Sequence, residues 1–318
     1  MKVRVGVTGN AVETPLFWAD AKGYFTDEGL QVETTRFTSG TQEVAPLTSN
    51  QLDVGDLGPD PGTFNAVARG LDIKITGFFG LTSPKNTGLG IVVRKDLIDS
   101  GKFKDAKDFK GLQIATVSKV SSAAIYLQRA LAKGNLTTDD VTQVEMPFPD
   151  MLAALTNKKV DAAIEVQPFI SRLESDGTAK LVYGAGDLLP GAPQLIMVYG
   201  PDFIKSQPDA AKHYATAFLR AQRDIWRIVE KGQGSQDDLF QVVSKYTATK
   251  DKSQFDTLMK SDNLAGTDPN GRMDTTVLDQ MQDFFVSVKT QQQKIDMSKV
   301  VDHTYMDYAV QQLGQVSS

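Results

Sequence analysis

The sequence has no cysteine and only two histidines in 318 residues. The first absence excludes disulfides, thiolate zinc sites, iron–sulfur clusters and cysteine nucleophiles. The second leaves His213 and His303, far apart in the chain, so histidine-rich metal sites and most histidine-based proton transfer have little to build on. There is no basic excess: 34 Lys and Arg face 39 Asp and Glu, for a formal charge of -5. Nucleic acid is therefore excluded as the main partner, because neutralising phosphates needs a basic face. No apolar run approaches the roughly 20 residues that span a bilayer. What is present is an ordinary globular composition, 41% hydrophobic and 23% charged. The length is about twice that of a common domain, which predicts two domains with separate cores.

Met1 and Lys2 run directly into the strand-like alternation Val3–Val7. Two compartments fit: the cytoplasm, or the outside, for a mature exported chain with a start Met. The missing cysteine leans towards export, where stray thiols are a liability.

Strand and helix signals alternate through the first 90 or so residues. Val3–Val7 reads as a strand, a helix opens at Thr14-Pro15, and Gly23 sits where a left-handed cap is wanted. Phe17 and Trp18 lie in that helix, one expected in the core and the other lining a cleft. Strand Leu30–Phe37, helix Thr41–Ser49, short strand Val54-Gly55, helix Pro61–Arg69 and strand Ile73–Phe79 follow. This order predicts a mainly parallel α/β sheet with its loops at one edge. A second α/β unit is read from strands Leu89–Val93, Leu112–Thr116, Val141–Met146 and Val160–Ile164. Its helices are Ser121–Ala132, Asp150–Asn157 and one starting near Pro168. Between Arg94 and Gln194 there are 13 basic and 13 acidic residues, a neutral module in an acidic chain. Gly184–Pro193 reads as a connection and Leu195–Tyr199 as a strand. Beyond Pro201 the chain is helical: Pro208–Glu230 with an apolar stripe, then Gln236–Tyr246, Lys252–Ser261 and Thr275–Gln291.

Catalytic signatures are missing: no GxSxG elbow, no phosphate-binding GxxxxGK[ST] loop, no HExxH and no EF-hand loop. Gly55-Asp56-Leu57-Gly58 supports a tight turn with close backbone approach, not a dinucleotide fingerprint. Small polar loops at strand-to-helix junctions remain, where parallel sheets bind ligands. They are Thr8-Gly9-Asn10, Thr38-Ser39-Gly40-Thr41, Asp56-Leu57-Gly58-Pro59, Thr82-Ser83 and Val117–Ser122. Ser118-Lys119-Val120-Ser121-Ser122 also opens a predicted helix, which would bring free N–H groups, hydroxyls and an ammonium together as an anion site. The plainer reading of Ser121 or Ser122 is an N-cap.

Several motifs line up in one order. Ala19-Asp-Ala-Lys-Gly-Tyr-Phe-Thr-Asp-Glu-Gly-Leu30 resembles the AxxKGYFxxEGL signature of extracytoplasmic solute-binding proteins of ABC transporters, of the nitrate/taurine/alkanesulfonate type. Thr38–Gln42 is similar to the loop after that family's second strand. Leu47–Gly55 resembles LxxGxxDxG, with Asn50 at the glycine. Phe109–Ala115 resembles LKGKxIA, and Leu152–Phe169 resembles AxxxGxVDAxxxWxPx.

The resemblance implies the type II periplasmic binding protein fold: two α/β lobes on a two-crossover hinge, closing over a ligand, with a helical C-terminal part. Lobe 1 would be residues 1–92 plus 195–318, and lobe 2 residues 93–194. It further implies a monomeric, non-enzymatic protein without cofactor or metal, outside the cytoplasmic membrane, with a small-molecule anionic solute and an ABC permease as partners. Ligand contacts are expected at Gly9, Asn10, Ser39, Gly40, Thr41, Asp56, Leu57, Gly58, Pro59 and Thr82. Further ones are expected at Ser118, Lys119, Val120, Ser121, Ser122, Glu165, Gln167, Phe169 and Gln194.

Departures shape the expected ligand. Val166 replaces the family's Trp and enlarges the pocket, Gln167 replaces an acid that would pair an ammonium, and Lys119 adds positive charge. These favour a sulfonate or carboxylate without an amino group, bulky or aromatic ones included. The alternatives are taurine, a thiamine-related pyrimidine, or an enzyme on the same fold of the menaquinone-pathway type. Pyrimidine synthases of similar fold rely on cysteine, which this chain lacks.

Overall fold

The computed structural model describes residues 1–247, 249–260, 264 and 268–317. Two compact units emerge. The first comprises Met1–Leu81, Gly191–Phe255 and the C-terminal segment; the second is Thr82–Pro190 with a short piece beginning at Asp256. The described strands are β1 Lys2–Val7, β2 Gln31–Arg36, β3 Val54–Leu57, β4 Lys74–Leu81, β5 Leu89–Arg94, β6 Gln113–Thr116, β7 Thr142–Glu145, β8 Ala162–Val166, β9 Ala179–Gly184 and β10 Pro193–Tyr199. The chain leaves the first unit after Leu81. The lobe boundary expected at 92/93 therefore moves upstream: β5 pairs with β8 and β9 in the second sheet, not with the first.

The first sheet has the order β2-β1-β3-β10-β4. β1 runs parallel to β2 and β3, and β10 runs antiparallel to β3 and β4. Val3 and Val5 of β1 are buried, whereas β2 is an edge strand whose Glu33, Thr34, Thr35 and Arg36 are exposed, as polar edge protection requires. The second sheet has the order β7-β6-β8-β5-β9, with β5 antiparallel to both neighbours. Each sheet is thus mainly parallel but carries one reversed strand, and the reversed strand is the first one the chain forms after changing units.

Helix Pro208–Glu230 buries the predicted stripe, with Ala211, Ala215, Phe218, Leu219 and Ile225 inaccessible. Tyr199, Tyr214 and Tyr305 meet there edge to face, and the Tyr199 hydroxyl donates to the Ala211 carbonyl at 3.0 Å. Phe17 and Trp18 are both buried, so neither is left to line a cleft. Phe17 stacks on Tyr246 and the Trp18 indole donates to Asp224.

Three further differences have local causes. β9 was read as neither strand nor helix. Gly184 ends it, and the Gly and Pro residues that follow serve close packing: a Cβ on Gly186 would lie 1.8 Å from the Ser83 carbonyl oxygen. The helix begun at Thr275 ends at Ser287 because Lys289 is left-handed, and Thr304–Leu313 forms an additional helix. The predicted helix Lys252–Ser261 is seen as Lys252–Lys260; Ser261 lies outside the described residues. Asn50 adopts φ 55°, which explains how it replaces a motif glycine, since Asn tolerates that conformation. Lys158, at the glycine position of the second motif, adopts φ 57° without that tolerance.

In the second unit, Phe109 is fully buried, with its ring 4.8 Å from that of Phe103 and close to Tyr183. Phe109→Ala is expected to cost the second unit about 3–5 kcal/mol, read as a lower denaturation midpoint in urea. A loss below about 1 kcal/mol would mean that this core collapses around the gap.

Candidate functional site

Because β1, β2 and β3 are parallel and β10 is reversed, the ends of the first three and the start of the fourth share one edge of the first sheet. That edge gathers Gly9 and Asn10 after β1, Ser39, Gly40 and Thr41 after β2, Asp56 to Pro59 at the end of β3, and Gln194 at the start of β10. Asn10 is committed: its side-chain oxygen accepts from Val12 N at 3.0 Å. Leu57 and Pro59 are buried. The exposed hydroxyls of Ser39 and Thr41 make no hydrogen bond among the described residues. Gln194 is half-buried beside Gly80.

Sequence reasoning missed Arg36 here. It ends β2, is exposed, and makes no ion pair among the described residues. Its guanidinium lies against Gly9, so close that a Cβ there would fall 2.1 Å from Nη2. Gly9 is also left-handed, at φ 80°, so glycine is required twice over.

Also missed was a carboxyl cluster behind the same loops. Glu13, Glu43 and Asp56 are each 0% exposed. Glu13 accepts from Thr8 N and Gly9 N, both at 2.9 Å, and from the Thr8 hydroxyl. Glu43 Oε2 accepts from Asp56 N at 3.0 Å. Both Asp56 carboxyl oxygens and Glu43 Oε1 meet no N–H or hydroxyl donor. Burial, then hydrogen bonding and repulsion from Glu13 and Glu43, push Asp56 far above the carboxylate range. Burial raises Glu43 as well, against the opposing pull of its bonds to Asp56. The legible signal was glycine inside strands: a Cβ on Gly6 would sit 2.3 Å from Glu43 Oε2, and one on Gly55 2.9 Å away. Gly55-Asp56-Leu57 is accordingly strand, not the tight turn expected, and the Asp56 side chain is buried behind it.

The second sheet has its own edge, formed by the ends of β6, β7 and β8 and the start of β5. Ser118–Ser122 follow β6 but do not open the helix, which begins at Ala124 with no side-chain cap. Ser118 builds a turn instead. Its hydroxyl accepts from Val120 N, its carbonyl accepts from Ser121 Oγ at 3.0 Å, and Lys119 N donates to Glu145 Oε1 at 2.7 Å. The expected set of free N–H groups is thus partly consumed, with the protein's own carboxylate as one acceptor. The Lys119 ammonium and the Ser122 hydroxyl remain exposed without a partner among the described residues. Val117 and Val120 are 37% and 43% exposed; with Met1 they are the exposed large hydrophobics of the described chain.

Gln167 lies at the end of β8, where its side-chain oxygen accepts from Ser171 N and Oγ, and Phe169 behind it is half-buried. The Thr82 hydroxyl is buried and given to the Leu189 carbonyl, a structural tie between the two ends of this unit. Glu165 is fully buried. One oxygen accepts from Val166 N at 3.0 Å, the other meets no donor, and burial pushes the carboxyl up to about 7. No group of three described side chains is arranged to hold a metal ion, and no described helix is long and apolar enough to cross a membrane.

A raised carboxyl pKa means that the folded state keeps a proton the unfolded chain releases. The stability linked to Glu165 is full below its ordinary 4.5 and is lost as pH rises towards about 7. Glu165→Gln is therefore expected to flatten the fall of melting temperature across that window in a pH series of thermal melts. An unchanged slope would place the Glu165 titration in the ordinary range.

Comparison with known proteins gives the family and the fold. A family model described as the NMT1-like family matches residues 1–232. A Bacillus subtilis (strain 168) protein that bears a provisional name as an aliphatic sulfonates-binding protein is 27% identical over 98% of this chain and 89% of its own length. The taurine-binding periplasmic protein of Escherichia coli (strain K12) is 28% identical over 70% of this chain and 69% of its own. The crystal structure of the periplasmic aliphatic sulphonate binding protein SsuA from Escherichia coli shares the fold, with a TM-score of 0.72 at 17% identity, over 95% of this chain and 92% of that one.

Proposed function

This chain belongs to the NMT1-like family, and from that premise we propose that it is an extracytoplasmic solute-binding protein. It captures a small organic anion, a sulfonate or carboxylate, and delivers it to the permease of an ABC importer. The observation that carries this reading is a cation, at the strand-end edge of each unit, whose charged group has no carboxylate partner among the described residues. In the first it is Arg36, seated on Gly9 beside the free hydroxyls of Ser39 and Thr41. In the second it is Lys119, beside the free hydroxyl of Ser122. A guanidinium presents paired donors that match carboxylate and sulfonate oxygens. The exposed Val117 and Val120 favour a ligand with hydrocarbon next to its charge. With a net charge of -5 the overall field repels anions, so capture depends on these local groups.

An amino group on the ligand is disfavoured. Glu13 already accepts three hydrogen bonds, Glu43 and Asp56 are inaccessible, and Gln167 stands where an acid would pair an ammonium. The likeness to a taurine binder supports the broader class of sulfonates more than taurine itself.

Titration calorimetry with alkane- and arylsulfonates, aromatic carboxylates, taurine, nitrate and a thiamine-type pyrimidine tests the reading. Saturable binding of a non-amino sulfonate or carboxylate, with the compound recovered unchanged, is expected. Tight taurine binding with the other anions ignored would overturn the ligand class, and product formation would overturn the binding role. Arg36→Gln is expected to weaken the bound anion by about 1.5–3 kcal/mol, and Ser122→Ala by about 1 kcal/mol.

A further inference from the structure

We propose that Glu13, Glu43 and Asp56 form a proton-holding positioning unit for the ligand loops of the first unit, so that anion capture is linked to proton binding and weakens as the cluster deprotonates. The inference rests on the anion-binding reading above.

The argument begins with what surrounds the three carboxyls. From the β1 side they meet Gly6, and Glu13 takes the donors of Thr8 and Gly9. From β3 comes Gly55 and the N–H of Asp56 itself, with Val198 of β10 packed beside Gly55. From helix Pro208–Glu230 comes Tyr214, fully buried, whose hydroxyl has no partner and which senses the charge of Asp56. The cation near these loops is Arg36, which lies against Gly9 and pairs with none of the three. No described Lys, Arg or His forms an ion pair with the cluster, and no described trio is arranged for a metal ion.

Three adjoining carboxylates in a dry site cannot all be charged. Neutralisation therefore falls to protons. A protonated Asp56 becomes a donor to one neighbouring carboxyl oxygen, and a second proton, on Glu43, supplies a donor for an Asp56 oxygen that otherwise has none. The consequence reaches the ligand edge through the chain. Glu13 holds Thr8 and Gly9, and Gly9 is the seat of Arg36. Glu43 ends the Gly40–Glu43 turn that carries Thr41, and grips the backbone of Asp56 just before Gly58 and Pro59. Loss of the Glu43 proton, while Asp56 keeps its own, sets a new charge at the point where these loops are anchored, and adds negative charge behind the guanidinium that meets the anion.

The test uses an alkanesulfonate, which stays charged throughout. In the full chain, affinity is expected to fall about tenfold between about pH 6 and about pH 8.5. In Glu43→Gln that ratio should shrink to about twofold or less, whereas Asp56→Asn, neutral like the protonated acid it replaces, should keep most of it. Asp99→Asn, an exposed acid paired with Lys95 in the other unit, should retain the wild-type ratio. Carboxyl carbon NMR of the unsubstituted protein keeps the inference testable if the variants fold poorly: at least one Asp or Glu resonance besides that of Glu165 should titrate above about pH 6.5. Ordinary titration of all carboxyls but Glu165, or a pH ratio unaffected by Glu43→Gln, would overturn it. So would a sharp rise in melting temperature with Ca2+ or Mg2+ over EDTA, which would make the cluster a cation site. No binding of any sulfonate or carboxylate at either pH would instead overturn the functional reading itself.

Discussion

The first unit depends on a problem that most proteins avoid, three carboxyl groups buried side by side at the ends of parallel strands. Isolated charges in such a place carry a large desolvation penalty, and like charges in contact make it larger. The structure meets the problem with shape and protons. Gly6 and Gly55 vacate the space that the Glu43 carboxyl fills, and Glu13 is satisfied by two backbone N–H groups and a hydroxyl of the loop it supports. The same residues that create the penalty hold the loops from which Arg36, Ser39 and Thr41 face solvent.

Topology explains why those loops meet at all. One reversed strand in each sheet, β10 in the first and β5 in the second, places its start level with the ends of the neighbouring strands that run the other way. Gln194 and Leu89 thereby join edges built from residues distant in sequence. The second unit solves its own edge differently. There Ser118 folds the loop into a turn and Glu145 accepts the N–H of Lys119 within it. The surplus is a cation and two valines turned to solvent rather than a row of backbone donors.

Much of this was legible. Periodicity located most strands and the long helix Pro208–Glu230, because burial on one face leaves a repeating apolar trace. The ordered motifs pointed to the family, and Asn50 could be recognised as a stand-in for glycine because its left-handed backbone is one that Asn tolerates. The strand β9 was not legible, since its mostly half-buried residues do not alternate and run into glycines that look like a linker but serve a close backbone approach at Gly186. Nor was the role of Ser118. Ser121 and Ser122 read as caps of a helix opened by this loop, and only the fold shows that the helix starts beyond them and that Ser118 builds a turn.

From local chemistry alone came the things that local chemistry controls: which segments alternate, which loops are small and polar, and which reactions the absent cysteine forbids. The partners of charged groups are a different kind of fact. Glu13, Glu43 and Asp56 lie on separate elements, as do Arg36 and Gly9, and Glu145 and Lys119. No pattern along the chain distinguishes a carboxylate in water from one pressed against another. Tertiary structure decided which acids lost their solvent and which cations kept theirs, because desolvation and charge pairing depend on distance through space and not on spacing along the sequence.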